Sequence, residues 1–185
     1  MSLAAFLQRI VAVLKETGTP FMLTGSLAGA YYGQARATQD VDLVVELQPE
    51  QLQRLVQLLT DEGFYASAIA AEEALRLQGQ FNVIDPESGW KADLIVRKAR
   101  EFSLSEFNRR RSATILGIEV ALTSVEDLII AKLEWSQLGS SDLQREDVQA
   151  IVDGSADSLD FEYLSHWIDR LGLQSAWQNI RKSST

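Results

Sequence analysis

The chain of 185 residues has no cysteine and a single histidine, His166. Without cysteine it can form neither a disulfide framework nor a thiolate metal site, and one histidine excludes zinc sites that need a histidine pair. Carboxylates are abundant, because Asp and Glu together number 26. Aspartate and glutamate are therefore the first candidates for any site chemistry.

Positive charge is also scarce. Lys and Arg number 17, which leaves a formal net charge of −9 and a pI near 4.6. Such a surface repels phosphate, so the composition argues against a general nucleic-acid or anionic-membrane binder. A polyanionic substrate would have to be held locally, by a metal or by a few basic side chains.

Long apolar runs are missing as well. No stretch approaches the roughly 20 apolar residues of a spanning helix, and the partly apolar segment 2–14 contains Gln8 and Arg9 and lacks a following cleavage signal. We expect a cytoplasmic protein without a membrane span. The length suits a core over 1–122 with a helical region over 123–185 packed on it, as one cooperative unit.

The hydrophobic pattern alternates between helical and strand periods, and this predicts a mixed α/β (α+β) fold. Apolar residues at helical spacing mark a first helix ending near Gly18. The predicted strands are 21–24, 40–46, 80–84, 90–96, 113–116 and 118–122, and the predicted helices include 26–33, a segment from Pro49, 71–78, 123–138, 143–152 and 161–171.

Asp40 and Asp42 lie two residues apart in a valine-rich strand, which places both carboxylates on one face. Two ionised carboxylates about 5 Å apart repel by roughly 3 kcal/mol at an effective dielectric constant near 20. Asp93 lies in a second apolar strand and shares its face with Lys91. Three carboxylates in apolar strands predict an oxygen-ligand site for a hard cation such as Mg²⁺.

Two further features indicate phosphate binding. Gly25 and Ser26 stand between a strand and a short helix, where glycine permits close backbone approach and the helix start offers amide donors. Lys132 projects near the middle of the apolar face of its helix, so its ammonium needs an anion or a route to water. Each feature has a plainer reading: Ser26 could simply cap the helix, and Lys132 could extend out of the core to water.

The combination resembles the nucleotidyltransferase (polymerase β-like) superfamily, in particular bacterial AbiE-type toxin nucleotidyltransferases and their relatives. That superfamily has a strand, Gly-Ser, a short helix and then Asp-x-Asp on the next strand. Here thirteen residues separate Ser26 from Asp40, somewhat more than in much of the superfamily. The matching segments are 24–28, 32–33, 36–38, 40–43, 91–93 and 126–128 with Lys132.

The resemblance implies that Asp40, Asp42 and Asp93 are the catalytic and metal-binding residues, with Mg²⁺ or Mn²⁺ as the cofactor. It also implies a nucleoside triphosphate substrate, for which Gly25, Ser26, Arg36, Lys91 and Lys132 are the candidate phosphate-binding residues. Arg36 could instead pair with an acidic neighbour, and Lys91 could serve only to neutralise Asp93. The stretch 109–111 of three arginines is expected to be a solvated turn.

Three functions are compatible with these residues. The first is transfer of a nucleoside monophosphate from a nucleoside triphosphate to an acceptor hydroxyl on tRNA, a protein or a small molecule. The second is an inert nucleotide- or partner-binding member of the same fold, with an antitoxin as a possible partner. The third, a sugar or small-molecule transferase of unrelated fold with an Asp-x-Asp metal site, fits least because Gly25 and Ser26 precede the aspartates.

Overall fold

The framework is one mixed β-sheet covered by helices. The computed structural model describes residues 1–33, 38, 40–139 and 142–182. The strands are β1 (Phe21–Thr24), β2 (Asp40–Val45), β3 (Tyr65–Ala66), β4 (Gln80–Ile84), β5 (Lys91–Val96), β6 (Arg111–Ile115) and β7 (Ile118–Leu122). The helices are α1 (Leu3–Glu16), α2 (Gly25–Tyr31), α3 (Pro49–Asp61), α4 (Ala68–Leu77), α5 (Glu101–Asn108), α6 (Val125–Gly139), α7 (Asp142–Ser155), α8 (Phe161–Arg170) and α9 (Gln174–Lys182).

The strand order is β3-β4-β5-β2-β1-β7-β6. Strand β2 runs antiparallel to β1 and parallel to β5, and β1 runs parallel to β7. The end of β1, the start of β2, the start of β5 and the end of β7 therefore lie at the same edge of the sheet. The chain turns from β1 into α2 at this edge, which brings Gly25 and Ser26 next to the first residues of β2.

The two faces of the sheet differ in polarity. Val41, Leu43 and Leu94 are fully buried in one hydrophobic cluster that also contains side chains of α1 and α3. The opposite face carries a small apolar cluster of Met22, Val44 and Phe107 at the end of β2 away from the shared edge. Because side chains alternate along a strand, the aspartates that precede Val44 on this face occupy the edge itself.

The helical region continues the core of the sheet. Leu128, Ile129 and Leu133 of α6 belong to the same hydrophobic cluster as the inner face of β2. The packing of the described residues therefore continues across position 122, while the division into 1–122 and 123–185 stays a prediction. Among the described residues, none of the helices combines the length and apolar character needed to cross a membrane.

The predicted α+β class is confirmed, although several elements were not predicted. The helix α5, the short strand β3 and the helix α9 have no counterpart among the predicted elements. Helix α5 contains Glu106, which is buried with only 7% of its surface exposed, so the apolar pattern understates how much of this helix faces the core. Strand β3 spans two residues, too few for an alternating pattern to be visible.

The prediction of a solvated turn at 109–111 is wrong for the side chain of Arg109. The Arg109 guanidinium donates to Glu126 at 3.0 Å and to Asp127 at 3.2 Å, and it lies 3.7 Å from the ring centroid of Tyr163. Arg111 begins strand β6. Arginine is required at position 109 because two buried carboxylates open helix α6, and an unpaired buried charge is strongly destabilising.

Asp127 is the centre of a buried polar cluster between α5, α6 and α8. Its carboxylate accepts hydrogen bonds from the Ser124 hydroxyl at 2.7 Å and from the Tyr163 hydroxyl at 2.6 Å, in addition to Arg109. Glu106 lies beside this cluster. Burial, the largest cause, and the nearby charge of Asp127 raise the pKa of Glu106 to about 8, although Arg100 lowers it.

We predict that Glu106→Gln stabilises the protein progressively as the pH rises. The folded pKa of about 8 lies above the ordinary value of 4.5, so the folded state keeps a proton that the unfolded chain releases. The contribution of Glu106 to wild-type stability therefore falls between about pH 4.5 and pH 8, by on the order of a few kcal/mol. Gln keeps the size but cannot ionise, so its advantage should grow over this window.

Urea unfolding at pH 5, 6.5 and 8 measures this effect. The exposed Glu72→Gln variant is the matched control, because it removes a carboxylate of the same length from the surface of α4. A difference between Glu106→Gln and wild type that stays constant over the three pH values would contradict the assignment of a neutral buried carboxyl.

Candidate active site

A row of polar side chains crosses four strands at the shared sheet edge. Asp42 on β2 lies directly opposite Asp93 on β5 and opposite Thr24 on β1. Asn82 on β4 lies opposite Asp93, and its amide nitrogen donates to Asp93 Oδ1. The two aspartates are thus neighbours on adjacent strands, with one polar residue on each side.

The next row towards the edge pairs Asp40 with Lys91. The Lys91 Nζ atom is 3.6 Å from Asp40 Oδ1 and 3.3 Å from Asp93 Oδ2. Asp40 is the most open of this group, with 49% of its side chain exposed, whereas 13% of the Asp93 side chain is exposed. The structure thereby brings Asp40, Asp42, Asp93 and Lys91 onto one polar surface.

Gly25 packs directly against Asp42. Its φ is +64°, and a Cβ atom built on it would lie 1.8 Å from Asp42 Oδ2 and 2.5 Å from Asp42 Cγ. The backbone N–H of Ser26 donates to the Asp42 carboxylate. The sequence predicted close approach of a phosphate at Gly25; in this structure the group that approaches the glycine and takes the Ser26 amide is Asp42.

The charges at the edge act on each other. Burial raises the pKa of Asp42, and the carboxylates of Asp93 and Asp40 raise it further, while the Ser26 amide and the Lys132 ammonium lower it. Burial lowers the pKa of Lys91, but Asp93 and Asp40 more than offset this, so the pKa of Lys91 lies above its ordinary value. The carboxylates of the site therefore carry more negative charge than the neighbouring positive groups compensate.

Lys132 on helix α6 acts on the site through its charge, while its ammonium contacts another helix. It is buried, and its Nζ donates to Asp147 Oδ2 at 2.7 Å and to Gln144 Oε1 at 3.4 Å, both on α7. Its charge nevertheless acts on Asp42, whose pKa it lowers. The anion that the sequence required for this lysine is thus supplied within the chain by Asp147.

Some participants were missed by sequence reasoning, and one candidate cannot be placed. Asn82 and Thr24 flank the aspartates, and Asp147 holds Lys132. The register of the predicted hairpin between 80–84 and 90–96 could have shown Asn82, because a turn at 85–89 places position 82 opposite 93. Nothing in the local sequence pairs Asp147 with Lys132. Arg36 lies outside the described residues.

The carboxylates of the site are suitable ligands for a hard divalent cation, although they are not close enough together to bind one in this arrangement. In the described parts of the chain, no group of three carboxylate or imidazole side chains is already close enough to hold a metal ion. Asp40, Asp42 and Asp93 nevertheless offer only oxygen donors, which Mg²⁺ prefers, and their mutual repulsion is the cost that a cation removes. The residues present therefore fit Mg²⁺ or Mn²⁺, provided that the side chains move together.

Comparison with solved structures places this arrangement in a known fold. The antibiotic-resistance factor ANT(2'')-Ia matches with a TM-score of 0.61 and 13% identity, covering 98% of this chain and 97% of its own. The chain has the nucleotidyltransferase fold. The lincosamide adenylyltransferase LnuA, solved with lincomycin, matches this fold with a TM-score of 0.55 and 11% identity over 82% of this chain and 96% of its own.

A third nucleotidyltransferase-fold structure, an antigenic nucleotidyltransferase-like protein from Paracoccidioides brasiliensis, matches with a TM-score of 0.56 and 18% identity. This likeness covers 95% of the present chain and 92% of that one. No model of a protein family matches the sequence, and no curated protein matches it. At these identities the nucleotidyltransferase likeness shows the fold and leaves activity open.

We predict that Gly25→Ala destabilises the protein and displaces Asp42. The new methyl group would overlap the Asp42 carboxylate, whose Cβ would be 2.8 Å away, so rotation of the carboxylate alone does not relieve the contact. Backbone strain at positive φ adds about 1–2 kcal/mol, and the forced shift of Asp42 should bring the total loss to roughly 2–4 kcal/mol.

Gly172→Ala is the matched control, because Gly172 has a φ of +68° and nothing lies within 4 Å of the position that its new methyl group would take. Urea unfolding of both variants separates strain from overlap. Equal losses of stability in the two variants would show that the contact between Gly25 and Asp42 contributes nothing.

Proposed function

We propose that this protein transfers a nucleoside monophosphate from a nucleoside triphosphate to an acceptor hydroxyl, with Mg²⁺ or Mn²⁺ as the cofactor. The observation that supports it most is the register of β2 and β5, which sets Asp42 beside Asp93 at the edge where Gly25 and Ser26 open helix α2. A module that only bound a partner would have no need of three mutually repelling carboxylates at one edge.

Asp40, Asp42 and Asp93 are the residues that would hold the cation. When bound, such an ion neutralises carboxylate and phosphate charge and stabilises the attacking and leaving oxygens of an in-line displacement. In the reaction the acceptor oxygen forms a bond to the α-phosphorus, the bond to the bridging oxygen breaks, and pyrophosphate leaves with that electron pair. The acceptor proton passes to a base or to solvent, and no covalent protein intermediate is needed.

The chain's own residues would position the reactants. Asp93 accepts hydrogen bonds from Asn82 and Lys91 on its two oxygens, which fixes its orientation in the edge row. The Ser26 amide on α2 and the buried ammonium of Lys132 on α6 both lower the pKa of Asp42. Both now contact protein carboxylates, so triphosphate binding would take over part of this hydrogen bonding.

A small molecule is the acceptor we favour. LnuA is described as a lincosamide adenylyltransferase, and ANT(2'')-Ia was solved in complex with adenylyl-2''-tobramycin. The net charge of −9 counts against tRNA, whose phosphates this surface would repel. A protein hydroxyl and tRNA are the alternative acceptors. The antitoxin partner and the cytoplasmic location stay predictions from the sequence.

A second candidate is an inert member of the same fold that binds nucleotide or a partner protein. The ion pairs of Lys91 with Asp40 and Asp93 favour it, because they satisfy two of the three carboxylates without a metal. The two functions differ in the step after nucleotide binding, so a transfer assay separates them.

We predict that Asp42→Asn weakens metal-dependent triphosphate binding by about 100-fold or more, since even loss of an outer-shell partner of a metal ligand costs 10–100-fold. Stability in metal-free buffer should be unchanged or higher, because the substitution removes a charge that burial, Asp93 and Asp40 already disfavour. Calorimetric titration with each triphosphate, with and without Mn²⁺, measures binding, and urea unfolding measures stability.

The control is Asp157→Asn, which removes an exposed aspartate far along the chain from the edge strands. A labelled-nucleotide transfer assay follows, with small hydroxylated molecules, tRNA and cell protein as separate acceptors. Metal-dependent binding without transfer to any of them would favour the inert candidate. Wild-type protein that binds no triphosphate with or without Mn²⁺ would rule out the transferase and leave only the partner-binding form of the second candidate.

A further inference from the structure

Lys91 is placed where the carboxylates of the edge need a positive charge. It lies opposite Asp40 on the neighbouring strand and two residues before Asp93 on its own strand. All three side chains therefore lie on the same face of the sheet as Asp42. Its Nζ atom contacts both Asp40 and Asp93, at 3.6 and 3.3 Å. Asp42 receives the Ser26 amide instead.

The charges of this group do not balance. Three carboxylates and one ammonium leave a formal charge of −2 on the four side chains of the two facing rows. Lys132 acts on Asp42 only through its charge, because its ammonium makes its ion pair with Asp147 on another helix, at 2.7 Å. Lys91 is thus the cation in direct contact with the carboxylates among the described residues.

The position of the Lys91 ammonium competes with that of a metal ion. A divalent cation shared by Asp40 and Asp93 would draw their oxygens to about 2.0–2.6 Å from its centre. The ammonium holds the same two carboxylates at longer distances and occupies the space between them. A metal and the lysine therefore cannot both sit between these two oxygens.

Lys91 is also able to leave. About a third of its side chain, 32%, is exposed, and a flexible four-carbon stem carries the charge. Rotation of the stem can place the ammonium in water while its methylene groups stay on the sheet. Such a movement costs far less than removing a fully buried lysine such as Lys132, of which 6% of the side chain is exposed.

We propose that Lys91 is an internal counter-ion that holds the carboxylates together in the absence of metal and is displaced when a divalent cation binds. This inference rests on the proposed function for the identity of the competing cation. Lys91 then has a regulatory role at the site, because it sets the metal concentration at which the site becomes occupied. In the absence of metal, its charge reduces the repulsion between the carboxylates.

The phosphate-ligand role that the resemblance implies for Lys91 makes a different prediction. A lysine that binds triphosphate would contribute nothing when metal is offered without nucleotide, and its loss would weaken nucleotide binding. An internal counter-ion, in contrast, acts on the metal alone. Titration with Mn²⁺ in the absence of nucleotide therefore distinguishes the two roles.

The experiment compares wild type with Lys91→Met, which keeps the length of the side chain and removes its charge. Lys91→Arg retains the charge, and Lys98→Met, on an exposed position after β5, is the matched control. For each protein the affinity for Mn²⁺ alone is measured by calorimetry, and thermal unfolding is measured in EDTA and in excess Mn²⁺.

We expect Lys91→Met to bind Mn²⁺ about tenfold more tightly, a change that corresponds to about 1.4 kcal/mol. It should unfold at a lower temperature than wild type in EDTA and gain more from added Mn²⁺. Lys91→Arg and Lys98→Met should resemble wild type. Binding by Lys91→Met where wild type binds none would support the inference as well.

Two outcomes would overturn it. If wild type and Lys91→Met bind Mn²⁺ equally and melt alike in EDTA, Lys91 is no counter-ion, while metal binding in the proposed function survives. If neither protein binds Mn²⁺, metal competition and the metal dependence of the proposed function fail together. The first result is therefore specific to Lys91, and the second is not.

Discussion

The constraint on which the structure of the edge depends is repulsion between carboxylates that strand geometry forces together. The alternation of β2 sends Asp40 and Asp42 to one face, and the parallel register of β5 sets Asp93 beside Asp42. Neighbouring groups compensate this charge. The Ser26 amide donates to Asp42 and the Asn82 amide donates to Asp93. The Lys91 ammonium pairs with both Asp40 and Asp93. Removal of any one contact leaves the remaining carboxylates less compensated.

Glycine at position 25 is the steric counterpart of this electrostatic constraint. Helix α2 must start close enough to β2 for the Ser26 amide to reach Asp42, and at that distance no side chain fits on the preceding residue. The other end of α2 is held as well, because the hydroxyl of Tyr32, the residue that follows α2, donates to the Thr123 carbonyl at 2.7 Å. Contacts at its two ends thus connect α2 to the aspartate strand and to the start of the helical region.

The sequence predicted the features that depend on local pattern. Period-two alternation showed that Asp40 and Asp42 share a face, and the apolar strand around Asp93 marked it as the third carboxylate. The parallel register that sets Asp93 beside Asp42 is seen only in the structure. Features that depend on long-range packing were not visible. The partner of Lys132 is fifteen positions away on another helix, and Arg109 could be read as a solvated turn because Glu126, Asp127 and Tyr163 reach it only after folding. The periodicity of the sequence shows on which face of a strand or helix a charged side chain lies. The residue with which it pairs depends on tertiary contacts.

The central proposal is that Asp40, Asp42 and Asp93 together form the cation site of this chain. Paramagnetic broadening by Mn²⁺ of the assigned backbone amide signals tests it most directly. At substoichiometric Mn²⁺ we expect selective loss of the signals of Ser26, Asp42 and Asp93, with those of Gly172 and its neighbours retained. Loss centred on another acidic segment, or uniform broadening over the whole chain, would contradict it.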